Sequence, residues 1–395
     1  MVDSFSIDYL QAKTRFVDLA KKINAHVFSL ELKGTKGPKG EALTIDLAVL
    51  GDVKCSTPKN ILLHTSGVHG VEGFAGSAIQ IDLLSRLRSD ENLRQRVAGL
   101  KGTKIVIVHA VNPYGMAWIR KFNENNVDLN RNFHLKPGSH KDMLSPEKRN
   151  TMYRHFYPTM VPSSLHCCEP CCFYGALGYF ICRYGYGKCK RGLASGQHEF
   201  QKGPFYGGLE LEPGPRLLVA ELEHLGLSSS NRHLTRVLHV DVHTGLGRFG
   251  EDTLLFDDVA LLEPLRSIFG RSHVVDPRGP HGDLGALYET PGSCDTLAPQ
   301  LLADAPSSPT IVHVCQEFGT LDNISVLRAM VREGVAWHAD RRTPLSHRTK
   351  IALRGAFFPE GDAWKERVIA RGRAVLEQSL AFVGLEKGRR DAKAA

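Results

Sequence analysis

The sequence lacks most of the features that mark the specialised protein classes. No uninterrupted apolar run approaches the roughly 20 residues that a membrane span needs, so no transmembrane segment is expected. The first 30 residues place Asp3, Asp8, Lys13, Arg15, Asp18, Lys21 and Lys22 among the apolar ones, which leaves no secretory core. No internal repeat is evident. The nine cysteines are an odd number and accompany no secretory signal, which reads as a reduced, cytoplasmic protein and not a disulfide scaffold. An acidic excess is missing too: 50 Lys and Arg face 42 Asp and Glu, a net +8. That excess is local, because residues 341–395 hold 13 Lys/Arg against 6 Asp/Glu and the rest of the chain is nearly balanced. The basic residues are not interleaved with an aromatic reading surface, so no nucleic-acid partner is expected.

What is present is ordinary globular material. Across 395 residues, 42% are hydrophobic and 23% charged, enough for a substantial core and unlike a disordered, collagen-like or coiled-coil chain. Residues 8–25 carry apolar positions largely on one helical face. Two extended stretches follow, 26–32 and 42–50, joined by a Gly/Pro/Lys turn. Short apolar runs at 60–65, 104–111, 237–242, 253–256 and 310–314 then alternate with helical patterns, and 363–383 reads as a closing helix. This rhythm predicts an α/β fold of three layers, with a mixed, largely parallel sheet flanked by helices. About 134–236 breaks the rhythm and reads as a mostly helical insertion. We therefore expect one domain over 1–385 and a charged tail at 386–395.

Ligands of such sheets gather at the carboxyl ends of strands, and the chemistry-bearing residues fall there. After the run 60–65 comes Gly67-Val68-His69-Gly70-Val71-Glu72-Gly73, where an imidazole and a carboxylate three apart can aim at one point. That donor pair suits Zn²⁺. After 237–242 comes His243, which would complete a His₂Glu set with a fourth position open. Asp241, two residues earlier on the same face, is a candidate to orient that imidazole. After 310–314 comes Gln316-Glu317-Phe318-Gly319, whose carboxylate would serve as general base. A fourth segment runs Asn112-Pro113-Tyr114-Gly115, Arg120, then Asp128-Leu129-Asn130-Arg131-Asn132-Phe133. Asn130 and Arg131 offer an amide and a planar fork for a carboxylate. Arg120 offers charge for a developing oxyanion, and Asp128 a hydrogen bond behind an imidazole. Taken singly, each has a structural reading as well: hydrogen-bonded core histidines, a surface glutamate, an Asp128–Arg131 ion pair, a solvated loop cation at Arg120. Three strand ends in one chain favour the chemical reading.

In order and wording, HTSGVHGVEGFAGSAIQ, NPYGMAWIRKFNENNVDLNRNF, DVHTGLG and QEFGT resemble zinc carboxypeptidases of the M14 type, and most closely the DUF2817 branch. The aspartoacylase and succinylglutamate desuccinylase group is a relative. The likeness spans about residues 5–385. It implies a zinc carboxypeptidase-like (phosphorylase/hydrolase-like) fold and one catalytic Zn²⁺ on His69, Glu72 and His243, with Glu317 as base. It also implies Arg120 as the carbonyl clamp, Asn130 and Arg131 as carboxylate binders, and Asp128 behind His69. Tyr288 resembles the mobile tyrosine that caps the carboxypeptidase pocket, and Cys294 or Asp295 falls near the specificity position. The reaction so implied cleaves an amide bond next to a free carboxylate, on a peptide C-terminus or an N-acyl amino acid. A catalytically silent carboxylate-binding module is the non-enzyme alternative. The patch Cys167, Cys168, Cys171, Cys172, Cys182 and Cys189 departs from the family pattern, and packing, a structural metal, acylation or oxidation would each account for it.

Overall fold

The structure is a computed structural model and describes residues 2–165, 168–256, 258–274 and 290–385. Seven strands form one sheet: β1 (His26–Lys36), β2 (Ala42–Gly51), β3 (Asn60–Ser66), β4 (Thr103–His109), β5 (Arg236–Phe249), β6 (Asp252–Leu255) and β7 (Thr310–Gly319). Their spatial order is β1-β2-β4-β3-β5-β7-β6. The four central strands β4, β3, β5 and β7 are mutually parallel, whereas β1, β2 and β6 run antiparallel to their neighbours. The central strands are almost wholly buried because both faces are covered, which is why they read as short continuous apolar runs.

Alternation along each strand builds two cores. Leu62, Ile105, Ile107, Leu238 and Val240 face one side, with Phe16, Ile79, Val368 and Leu376 from helices Tyr9–Lys22, Gly73–Ser89 and Asp362–Phe382. Ile61, Leu63, Val106, Val108 and Val237 face the other, with Leu218 and Leu222 of helix Pro213–His224. The three-layer, mixed and largely parallel architecture is thus the one the sequence predicts. The opening helix, the first two strands and the closing helix lie where the periodicity puts them. Helices Asn323–Ala339 and Arg348–Phe357 are additions that the sequence reading did not delimit. Between β4 and β5 lies the longest excursion, with helices Ser139–Asp142, Tyr153–Met160, Glu169–Tyr184, Tyr186–Ala194 and Pro213–His224. Among the described residues, no helix is long and apolar enough to cross a membrane. Tyr288, Cys167 and the tail at 386–395 lie outside the described residues.

Candidate metal centre

Register brings the strand-end residues together. β5 and β7 pair so that His243 lies opposite Glu317 and Asp241 opposite Cys315, while β3 pairs Thr65 with Asp241. The chain leaves β3 through Gly67, whose φ of +68° favours glycine. It then closes a short 3-10 turn at Gly70–Glu72. A Cβ at Gly70 would lie 2.1 Å from the Gly115 carbonyl carbon, so only glycine permits this approach. Val71 N–H donates to the Arg120 carbonyl and Gly70 N–H to the Lys121 carbonyl, which braces the turn against the neighbouring loop.

His69, Glu72 and His243 converge. His69 Nδ1 is 3.0 Å from Glu72 Oε1, and His243 Nδ1 is 3.2 Å both from His69 Nδ1 and from Glu72 Oε2. Tetrahedral ligands about 2.0–2.1 Å from a zinc ion would sit roughly 3.3 Å apart, so the spacing of the donor set fits such an ion once the Lys121 ammonium moves off Glu72 Oε1 and His69 Nδ1. The far nitrogens of both rings are held: His69 Nε2 by Asp128 Oδ1 at 2.9 Å, and His243 Nε2 by Asp241 Oδ2 at 2.7 Å. Each carboxylate accepts the Nε2 proton and so leaves Nδ1 to face the centre, the support expected behind metal-binding imidazoles. Asp128 Oδ1 also accepts from Asn130 N–H, and Asp241 Oδ1 accepts from Thr65 Oγ1 at 2.6 Å.

Charge at the centre is finely opposed. Burial raises the Glu72 carboxyl, but His69 and Lys121 outweigh it and hold it well below the usual range. Burial lowers the His243 imidazole, yet Asp241 and Glu72 hold it well above its ordinary value. Glu317 goes the other way, pushed up to about 7 by burial and by the nearby Glu72 charge. Its Oε1 accepts from Leu246 N–H at 2.9 Å, which leaves Oε2 toward Cys315 Sγ, 3.9 Å away. His243, Cys315 and Glu317 form a second close cluster that shares His243 with the first.

The structure separates two adjacent cations. Arg120 is fully buried away from the centre: its Nε meets Glu333 at 3.0 Å, its Nη2 donates to Asn126, and its guanidinium lies 3.7 Å from the Trp337 ring centroid. The sequence leads one to expect Arg120 beside the centre, but its side chain is not among the residues that line the cavity. Lys121 is among them: its Nζ bonds Glu72 Oε1 at 2.7 Å and His69 Nδ1 at 2.8 Å. The Lys121 ammonium thus bonds two of the three donor atoms. Spacing alone could not have distinguished the two cations, since they are neighbours in a loop.

A cavity of about 240 Å³ opens on the centre, lined by His69, Glu72, Lys121, His243 and Glu317 together with Asn130, Arg131 and Asp295. Asn130 Oδ1 accepts from Cys294 N–H, and Arg131 is fixed through the carbonyls of Asn130 and Ala194, while its buried Nε has no hydrogen-bond partner among the described residues. Asp295 pairs with His313 at 3.4 Å; burial opposes its ionisation, but that partner holds it at about 2. The described cysteines of the patch lie on or next to helices Glu169–Tyr184 and Tyr186–Ala194. Cys168, Cys171, Cys172 and Cys182 are exposed, whereas Cys189 is buried and lines the cavity. Among the described residues, no metal-competent group includes any of them.

An α/β sheet protein with two imidazoles and a carboxylate meeting at its strand ends is the class that fold and site define. The family model of DUF2817, described as a protein of unknown function, matches residues 5–371, and the chain belongs to that family. No curated protein matches the sequence. Solved structures with a similar course include a candidate metallopeptidase from Shewanella amazonensis, at 15% identity and a TM-score of 0.45, covering 96% of this chain and 94% of that one. Carboxypeptidase A from Helicoverpa armigera matches at 12% identity and a TM-score of 0.43, covering 95% and 75%. Bovine thrombin-activatable fibrinolysis inhibitor matches at 13% identity and a TM-score of 0.41, covering 86% and 98%.

Proposed function

We propose that the chain is a metal-dependent hydrolase that cleaves an amide bond beside a free carboxylate, as a carboxypeptidase or an N-acyl-amino-acid amidohydrolase does. The observation that carries this reading is the meeting of His69, Glu72 and His243 at 3.0–3.2 Å beside Glu317. Two imidazole nitrogens and a carboxylate suit Zn²⁺, and such an ion would polarise the scissile carbonyl and acidify water beside it. Glu317 would take the proton, its carboxylate held in place by the Leu246 N–H on Oε1 and the Cys315 thiol on Oε2. A carboxylate at this position could both accept that proton and return it to the leaving amine. Lys121, in place of Arg120, would face the oxygen on which negative charge develops. Asn130 and Arg131, fixed at the cavity wall, would hold the carboxylate.

The test is to load the purified chain with Zn²⁺ and assay it against C-terminal peptide ladders and N-acyl amino acids. We expect turnover that a chelator removes and Zn²⁺ restores. A fully loaded chain that hydrolyses neither class, yet binds amino-acid carboxylates, would leave the silent binding module in its place.

A further inference from the structure

The cavity has two unlike parts. Its floor is polar and charged, made by the strand ends and by Asn130 and Arg131. Its walls are mostly hydrocarbon and come from four separate stretches: Leu177 and Ile181 of helix Glu169–Tyr184, Leu193 of helix Tyr186–Ala194, Phe256 after β6, and Leu327 and Met330 of helix Asn323–Ala339. Leu177, Leu193, Phe256 and Met330 are buried from bulk solvent and still border empty space. Tyr186 and Lys190 also line it, from the second of those helices.

A single water needs about 10–15 Å³ and several polar partners. The chamber is many times larger, at about 240 Å³, and these walls offer water few partners. A hydrocarbon group entering it exchanges water contact for packing. A substrate carrying only an acetyl group would leave the walls uncovered. A basic side chain would find Asp295 already paired with His313.

We propose that the substrate is an amphiphile: a carboxylate held at Asn130 and Arg131, an amide at the centre, and an extended apolar group in the chamber beneath the insertion. This deepens the hydrolase reading and rests on it. The hydrocarbon has two chemical sources, the acyl chain of an N-acyl amino acid or the side chains at a peptide's C-terminal end. The insertion, which supplies three of these wall residues, is then the element that selects the substrate.

Two substrate series separate the sources. One runs N-acetyl-, N-butanoyl-, N-octanoyl- and N-dodecanoylglycine; the other runs acetylated dipeptides from Gly-Gly to Leu-Phe. In at least one series, kcat/KM should rise roughly threefold or more per added methylene until the chamber fills. A rise along the first identifies an acyl chain, and along the second, side chains. Ile181→Trp, which narrows the chamber, should move the optimum to shorter members. A binding measurement that needs no turnover accompanies these: titration of Glu317→Gln with N-dodecanoylglycine and N-acetylglycine. The former should bind at least tenfold tighter, with a negative heat-capacity change. Hydrolysis independent of length in both series, or equal binding of the two ligands, overturns the proposal and leaves the hydrolase reading intact. Length-dependent binding by a loaded chain that hydrolyses nothing supports the chamber and overturns the hydrolase reading.

Discussion

The floor and the roof of the cavity are built on different principles. Most of the floor belongs to the strand ends, with Asn130 and Arg131 added from the loop after β4: His243 and Glu317 are register partners on parallel strands, and His69 and Glu72 sit on a turn that tolerates only glycine at position 70. Every functional group there is fixed by a second one, Asp128 behind His69, Asp241 behind His243 and the Leu246 N–H on Glu317. The roof comes largely from helices Glu169–Tyr184 and Tyr186–Ala194 and meets the cavity mostly with the aliphatic and aromatic side chains of Leu177, Phe180, Ile181 and Leu193, beside Lys190 and a Tyr186 hydroxyl that accepts from Asn323. Elsewhere on these helices, Tyr174 and Tyr179 are exposed. Chemistry is thereby assigned to the part of the molecule with least freedom. Selection is assigned to a part whose side chains can change without disturbing the sheet.

Substitutions can break this division. The largest effect is expected at Glu317→Gln, which removes the proton carrier and keeps shape: kcat should fall by about 10³-fold or more, with the metal content unchanged. Near-normal turnover in that variant would remove Glu317 from its role. Next, Lys121→Met should cost roughly 10²–10³-fold in kcat with the fold retained, as for the loss of one oxyanion donor. Its neighbour gives the opposite result. Arg120→Ala takes away one of the two cations on buried Glu333, the Asn126 hydrogen bond and a packing partner of Trp337, so it should lower stability by about 1–3 kcal/mol in denaturant titration. If Arg120→Ala folds normally and loses only activity, the assignment of the two cations is reversed.

The smallest effect concerns pH. His64 and His109 are buried in the sheet, and burial depresses their pKa values to about 4 and about 3. In the unfolded chain each protonates near pH 6.5. Below that pH the unfolded state binds more protons, so stability present above pH 6.5 is lost as pH falls toward the folded values. The thermal midpoint should therefore drop between pH 6.5 and 4, with a shallower slope in His109→Gln. An unchanged slope would mean that other groups govern acid unfolding.

Much of the floor was legible in the sequence because each of its parts terminates a strand. An apolar run followed by His, by His and by Glu gives three positions that a parallel sheet must bring to one edge. Asp128 and Asp241 were legible for a related reason, one as the acid before a short turn and the other by two-residue alternation with His243. The cation was not legible. Arg120 and Lys121 are adjacent in a loop, and only the packing of Glu333, Asn126 and Trp337 around the first decides which one faces the cavity. Nor was the roof legible, since helix Glu169–Tyr184 carries apolar residues on its exposed and its inward faces alike. Tyr288 falls outside the described residues, so its capping role remains a proposal drawn from resemblance.

The most direct test is metal content by elemental analysis after Zn²⁺ loading and desalting, in the unaltered chain and in the His69→Ala and His243→Ala variants. Folding of each is checked by circular dichroism. The account predicts close to one zinc ion per chain in the first and little in either folded variant. Full zinc occupancy in both variants, or none in the unaltered chain, would contradict it.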